Sequence, residues 1–188
     1  MPALFSNGSS YAYPLWKYGF VKKIDETGLV LGSLGANILF KELPTGVYDP
    51  PFSLKGQTVL DIGATNGEVA WWYLNKFGAK KIICIECDEE KLQYLRQNKA
   101  VLKNIEIIPE PLNMKHLLRE DYDFIKCDIE GYEMILIDYM NQGYKLKPCV
   151  LEVHTNWIKD RFVEKGFSVR KTTNSNIAQI AVFIMCNF

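Results

Sequence analysis

From Thr58 onward the chain alternates short apolar runs with amphipathic ones, and this alternation restricts the fold more than any other feature. "TVLDIG", "KKIICIEC", "IEIIPEP", "YDFIKCDIE" and "CVLEVHT" read as buried strands. "EVAWWYLNKFG", "DEEKLQYLRQNKAVLKN", "NMKHLLRE", "YEMILIDYMNQG" and "NWIKDRFVEKG" read as the helices between them. Gly78 and Gly143 close two of these helices, and Asp88 stands where an N-cap belongs. Strands apolar along their whole length, joined through helices, imply a parallel sheet covered on both faces. "FSVRKTT" and "IAQIAVFIMC", joined through "NSN", add a terminal antiparallel pair. The expected fold is α/β: a doubly wound Rossmann-like sandwich with a mostly parallel seven-stranded sheet and an antiparallel terminal hairpin.

The first part of the chain differs. It is rich in Tyr, Gly and Pro, and "YGFVKKI", "GLVLGS" and "ANILFKEL" read as short strands, with a turn at Asp25 to Gly28. Residues 1–55 are therefore expected to form a small β-hairpin cap and lead-in, ahead of a main domain over 56–188. Tyr11, Tyr13, Trp16 and Tyr18 give the cap stacking faces suited to an acceptor-side lid, to an edge cover or to a dimer contact.

At 188 residues, with 48% hydrophobic side chains, the chain is long and apolar enough to bury a core. Lys+Arg and Asp+Glu both number 22, so the totals lack the basic excess of a nucleic-acid binder. No apolar run approaches the roughly 20 residues that span a bilayer. The start, "MPALFSNGSSYAYPLWKYGF", does not have the order of a signal peptide. Cys84 and Cys87 form a C-x-x-C, but residues three apart on a strand face opposite ways and no second pair completes a zinc site. These features point to a cytoplasmic protein with reduced cysteines.

In open parallel sheets, ligands bind beyond the carboxyl ends of the strands. The five segments at the strand ends begin with acids: Asp61, Glu86, Glu110, Asp128 and Glu152. "DIGATNG" places Gly63 and Gly67 about a tight strand-to-helix turn, and Glu86 ends the next strand about 20 residues on, where a carboxylate accepts ribose hydroxyls. A dinucleotide loop needs two further glycines, and Thr65 and Glu68 stand in their places. Glu68 at the helix start would repel a pyrophosphate, and Asp61 favours a cationic ligand. An adenosyl group with a sulfonium and an α-amino group meets these demands better than a phosphate.

"VLDIGATNG" followed by "IICIECDEE" resembles the first two motifs of class I S-adenosylmethionine-dependent methyltransferases. "GVYDPPFSLKGQTVLDIGATNG", "DFIKCDIEGYE" and "CVLEVHT" are similar, in order, to segments of the FkbM-type members, over roughly Gly46 to Thr155. The resemblance implies S-adenosyl-L-methionine as cofactor and a hydroxyl oxygen as methyl acceptor. Residues Asp61, Gly63, Ala64, Thr65, Asn66, Gly67, Glu86, Cys87, Glu110, Leu112 and Asp128 would line the cofactor site. Thr65 departs from the family's usual Asn, with Asn66 in the next position, so backbone contacts carry over better than side-chain ones.

Asp128, Glu152 and His154 are the catalytic candidates. His154 is the expected base, since an imidazole titrates near pH 6.5 and shares a strand face with Glu152. The same three residues are also candidate ligands for a divalent metal. Glu130 reads as an exposed acid near a helix N-terminus, and His116 as a surface residue. A small-molecule or glycan acceptor is expected. The alternatives are an RNA or nucleotide methyltransferase and a non-catalytic adenosyl-binding module.

Overall fold

The structure, a computed structural model, describes residues 22–23, 27–174 and 180–186. The aromatic stretch Tyr11 to Tyr18 and the "NSN" joint beyond Asn174 lie outside the described residues.

The N-terminal part corrects an expectation. β1 (Lys22–Lys23) and β2 (Val30–Leu31) pair antiparallel, but "ANILFKEL" is helical. α1 (Ser33–Asn37) runs into a π-helical turn over Ile38–Glu42 and a 3-10 turn over Leu43–Thr45. The buried residues of this stretch are Gly35, Ile38, Leu39 and Leu43, spaced by three or four, which is the period of a helix face. A run of three apolar residues, "ILF", looks the same in either structure, and the wider spacing decides it.

The remaining elements follow the alternation. They are β3 (Thr58–Ile62), α2 (Glu68–Lys76), β4 (Lys81–Ile85), α3 (Glu89–Leu102), β5 (Ile105–Ile108), α4 (Met114–Leu117) and β6 (Phe124–Cys127). After them come α5 (Met134–Asn141), β7 (Cys149–Val153), α6 (Asn156–Glu164), β8 (Phe167–Asn174) and β9 (Ile180–Cys186). Five strands, in the order β5-β4-β3-β6-β7, are parallel, and β9 and then β8 continue from β7 antiparallel. After β3 the chain winds outward through β4 and β5, then returns to the other side of β3 as β6. The reversal opens a crevice between the carboxyl ends of β3 and β6.

Two cores flank the sheet. Val59, Ile82, Phe124 and Val150 pack with α2, α3 and the segment from Leu29 to Leu54. Leu60, Ile83, Ile125 and Leu151 face the other way, against α5 and α6. Strand alternation therefore puts Asp61, Lys126 and Glu152 on the first face, beneath the N-terminal segment. Cys84 is buried and Cys87 exposed, and both are thiols. No helix among the described residues is long and apolar enough to cross a membrane.

Side-chain amides seat the N-terminal segment on the main sheet layer. Asn98, buried on α3, accepts the Val30 N–H at 2.7 Å and donates to the Val30 carbonyl at 2.8 Å and to the Asn66 carbonyl at 2.7 Å. Asn66 in turn accepts the Gly32 N–H at 2.7 Å. Asn98 thus pairs with β2 much as a neighbouring strand would. Removing it orphans the Val30 N–H and two carbonyls in a buried setting. Asn98→Ala should lose about 2–4 kcal/mol of stability in denaturant titration and speed hydrogen exchange at Val30. A loss below about 0.5 kcal/mol would show that the segment is held by apolar packing alone.

Candidate functional site

The glycine turn is built for packing. Gly63 has φ +74°, and a Cβ there would lie 1.9 Å from the Asp128 carbonyl oxygen. This close approach brings the turn after β3 against the end of β6. Gly67, at φ +90°, caps α2 where a Cβ would press on Leu95 and Leu102.

The turn's backbone donors are all engaged. Gly63 and Ala64 donate to the Ile85 carbonyl, Gly67 to the Ala64 carbonyl, Thr65 to Glu86 at 3.0 Å and Asn66 to Glu68 at 3.1 Å. A phosphate cradle needs such N–H groups turned outward, and from Gly63 to Gly67 each has an internal partner. Glu68 also does something other than expected. It is fully buried and accepts the Thr65 hydroxyl as well as the Asn66 N–H. Burial pushes its pKa up to about 7. It braces the turn from within and does not face a ligand.

Glu86 is pinned at the mouth beside this turn. Its Oε1 accepts the N–H groups of Cys87 (2.8 Å) and Asp88 (2.9 Å), and its Oε2 accepts Thr65. With two lone pairs on each oxygen, Oε2 keeps one acceptor position for a ligand hydroxyl. Beyond β5, Glu110 is tied outward to Lys115 at 2.8 Å and lies 3.3 Å from His116, while Leu112 packs on the second core. His116 is buried, contrary to expectation. Its Nδ1 accepts the Asn113 N–H and so completes the capping box of α4.

Asp61, expected to face a cationic ligand, is fully buried with its own cation. Lys126 stands opposite it in register on β6, its Nζ 3.2 Å from Asp61 Oδ1 and 2.8 Å from the Gly63 carbonyl. Burial raises the Asp61 carboxyl, and Lys126 offsets part of that rise. Burial alone would lower Lys126, but Asp61, Asp128 and Glu68 outweigh it and keep the ammonium charged. The only sequence signal for this residue was a lysine inside an otherwise apolar strand, "DFIKCD".

On the far side of Lys126 lies a chamber of carboxylates. Tyr48 donates to Glu152 Oε2 at 2.5 Å, and its oxygen lies 3.3 Å from Asp128 Oδ2 and 3.5 Å from Glu42 Oε2. His154 Nδ1 is 3.2 Å from Oε1 of the fully buried Glu133. Its Nε2 is 3.5 Å from Asp128 Oδ1, 3.5 Å from Glu130 Oε2 and 3.6 Å from Glu152 Oε1. The expected trio Asp128, Glu152 and His154 thus meets, joined by Glu42, Tyr48, Glu130 and Glu133. Tyr48 lies in the lead-in "GVYDPPF" and Glu133 in "KCDIEGYE", but neither stretch shows by itself that the two converge here.

The electrostatics change the role of the histidine. Burial would lower His154, yet the Glu133 contact and the charges of Asp128, Glu152 and Glu130 lift it to about 9. At neutral pH it holds its proton, so it does not serve as the ready base that an unperturbed imidazole would be. Glu152 is pushed up to about 8, by burial first and then by Asp128. Both groups therefore carry a proton at neutral pH, and Glu152, with the lower of the two values, is the first to ionise and become a base as the pH rises toward 8.

No protein-family model matches the chain, and no curated protein matches it by sequence. Solved structures do match in three dimensions. Precorrin-6y C5,15-methyltransferase from Geobacter metallireducens aligns at TM-score 0.59 and 16% identity, over 77% of this chain and 87% of that one. Aeropyrum pernix fibrillarin, solved with bound S-adenosyl-L-methionine, aligns at 0.55 and 15%, over 76% and 71%. The B. subtilis M1A22 tRNA methyltransferase TrmK aligns at 0.57 and 13%, over 77% and 64%. At these identities the likeness is one of fold: the chain has the Rossmann-like fold of class I methyltransferases.

Lys126 is the group whose loss should be felt most. Lys126→Met leaves Asp61 buried without a counter-ion and should destabilise the protein by about 3–5 kcal/mol. Adding Asp61→Leu should recover most of that loss in the same denaturant titration. Equal stability of the single and double variants would show that Asp61 and Lys126 are not coupled.

Proposed function

We propose that the protein is an S-adenosylmethionine-dependent methyltransferase that methylates a hydroxyl oxygen of a small-molecule or glycan acceptor. The observation that carries the cofactor reading is the closed glycine turn beside a pinned Glu86. With the N–H groups of Gly63 to Gly67 turned inward and a carboxylate preset for a sugar hydroxyl, the mouth suits an adenosyl group over a dinucleotide. The fold and its neighbours support the same class. The order of the motifs from Gly46 to Thr155 supports the FkbM-type within it.

When bound, S-adenosylmethionine supplies a methyl group on a positive sulfur, a leaving group that needs no acid. Glu86 takes a ribose hydroxyl on its open Oε2 position. Ala64, Thr65 and Asn66 wall the mouth at the turn, Cys87 lies beside Glu86, and Leu112 and Glu110 border the adenine side. Asp128, at the end of β6, stands between this mouth and the chamber and faces the cationic end of the cofactor. The chamber receives the acceptor. Ionised Glu152, a form that grows as the pH rises toward about 8, accepts its proton as the oxygen attacks, and Tyr48, bonded to Glu152, orients the carboxylate. Within the lead-in, residues 27–55 bring Glu42 and Tyr48 to the acceptor side.

An RNA or nucleotide acceptor is the second reading, favoured by neighbours named as tRNA methyltransferases. A chamber lined by carboxylates disfavours phosphate, which places the hydroxyl of an uncharged or cationic acceptor first.

Calorimetric titration should give binding of S-adenosylmethionine and S-adenosylhomocysteine but not NAD. Glu86→Ala should weaken both by at least tenfold, about 1.4 kcal/mol. Glu152→Gln should keep cofactor affinity and lower labelled-methyl transfer to a screened acceptor by about 10²–10⁴. Binding of NAD alone would sink the reading, and full activity of Glu152→Gln would remove Glu152 as the base.

A further inference from the structure

We propose that Asp128, Glu130 and His154 form a binding site for a divalent first-row cation such as Mn²⁺ or Zn²⁺. The expected trio contained Glu152, but Glu152 has its Oε2 committed to Tyr48. The donor atoms that lie together, all within 4.8 Å of one another, come from Asp128, Glu130 and His154.

Three observations carry the assignment. The first is the orientation of the imidazole. Glu133, fully buried, holds Nδ1 of His154 and so turns Nε2 toward the carboxylates. A carboxylate behind the ring is the usual support of a metal-binding histidine.

The second is spacing. Separations of 3.5, 3.5 and 3.6 Å from Nε2 to Asp128, Glu130 and Glu152 are too long for the 2.7–3.2 Å of an N–H···O bond. The two 3.5 Å separations, to Asp128 and Glu130, reach the upper end of the edges of a coordination shell, where ligands about 2.1 Å from an ion and 90–115° apart lie about 3.0–3.5 Å from each other.

The third is an enclosed acceptor without a donor. Asp128 Oδ1, the atom 3.5 Å from Nε2, makes no hydrogen bond. The carboxylates of Glu42, Glu130, Glu133 and Glu152 crowd this corner, the facing His154 imidazolium is shared among several of them, and the nearby Lys126 is engaged with Asp61 and the Gly63 carbonyl. With its Nε2 proton released as the ion binds, one imidazole nitrogen with two carboxylate oxygens suits Mn²⁺, Fe²⁺ or Zn²⁺, and lacks the thiolate or thioether that selects Cu(I).

The inference deepens the methyltransferase reading. A cation here would polarise the acceptor hydroxyl beside Glu152. The O–H bond would break with its proton going to Glu152. The O–C bond would form as the S–C bond of the cofactor breaks, its electron pair leaving with sulfur.

The test needs no cofactor and so stands apart from that reading. The whole chain is titrated with Mn²⁺ alone, free Mn²⁺ is read by electron paramagnetic resonance, and pulsed spectra are searched for a ¹⁴N coupling. One bound ion per chain with an imidazole ¹⁴N coupling is expected. His154→Gln should abolish the coupling. Glu130→Gln, at an exposed position, should weaken binding at least tenfold with the melting curve unchanged. Absence of stoichiometric Mn²⁺ binding, a bound ion without ¹⁴N coupling, or unchanged affinity in Glu130→Gln would overturn the site. Cation binding without S-adenosylmethionine binding would uphold the site and reject the cofactor, and the reverse result would do the opposite.

Discussion

A buried lysine facing a buried aspartate across two parallel strands holds the functional end of this sheet together. Asp61 and Lys126 occupy the crevice where the winding reverses, and the ammonium also takes the Gly63 carbonyl. One side chain therefore fastens the end of β6 to the turn that follows β3. Gly63 has room only because it lacks a Cβ, and Asp128 begins where that contact ends. The mouth on one side of Lys126 and the carboxylate chamber on the other are both measured from this pair. A buried ion pair adds little net stability, but losing one partner exposes the full desolvation penalty of the other. Its value here is in fixing position.

The two sides differ in how they treat charge. Around the turn, every backbone donor from Gly63 to Gly67 has an internal partner, so a ligand meets a closed backbone with one acceptor position on Glu86. In the chamber, carboxylates converge faster than donors do. Tyr48 and His154 serve several oxygens between them, and Asp128 Oδ1 and Glu133 Oε2 make no hydrogen bond. A closed surface binds by shape and a few preset contacts, whereas an over-acidic chamber attracts a proton or a cation. The raised pKa values of Glu152 and His154 are the proton's answer to that excess.

Much of the main sheet was legible because its signals are periodic. Whole-strand apolarity fixed the parallel strands, Asp88 caps α3 as its position suggests, and the alternation of "CVLEVHT" put Glu152 on the face where it is found. The N-terminal stretch was misread because "ILF" is too short to separate two periods. The site was legible as a place but less so as a network. Asp61 and Glu68 looked like groups presented to a ligand, since sequence shows an acid near a loop but not the buried lysine or threonine hydroxyl that claims it. His154 was read at its ordinary acidity because the sequence does not show that the stretch carrying Asp128, Glu130 and Glu133 folds over the strand that carries Glu152 and His154. Tyr48, Glu42 and Glu133 needed the fold to be seen as neighbours, and buried His116 needed the geometry of α4.

The central claim is that an adenosyl group binds at the mouth between β3 and β4 with its reactive end toward Asp128. Titrating S-adenosylhomocysteine into ¹⁵N-labelled protein tests it most directly. The account predicts that amide signals of Gly63 to Gly67, Cys87, Asp88 and Asp128 shift together and saturate. Shifts confined instead to the groove of Met140, Tyr144, Leu146 and Phe167, or no saturable shift at all, would contradict it.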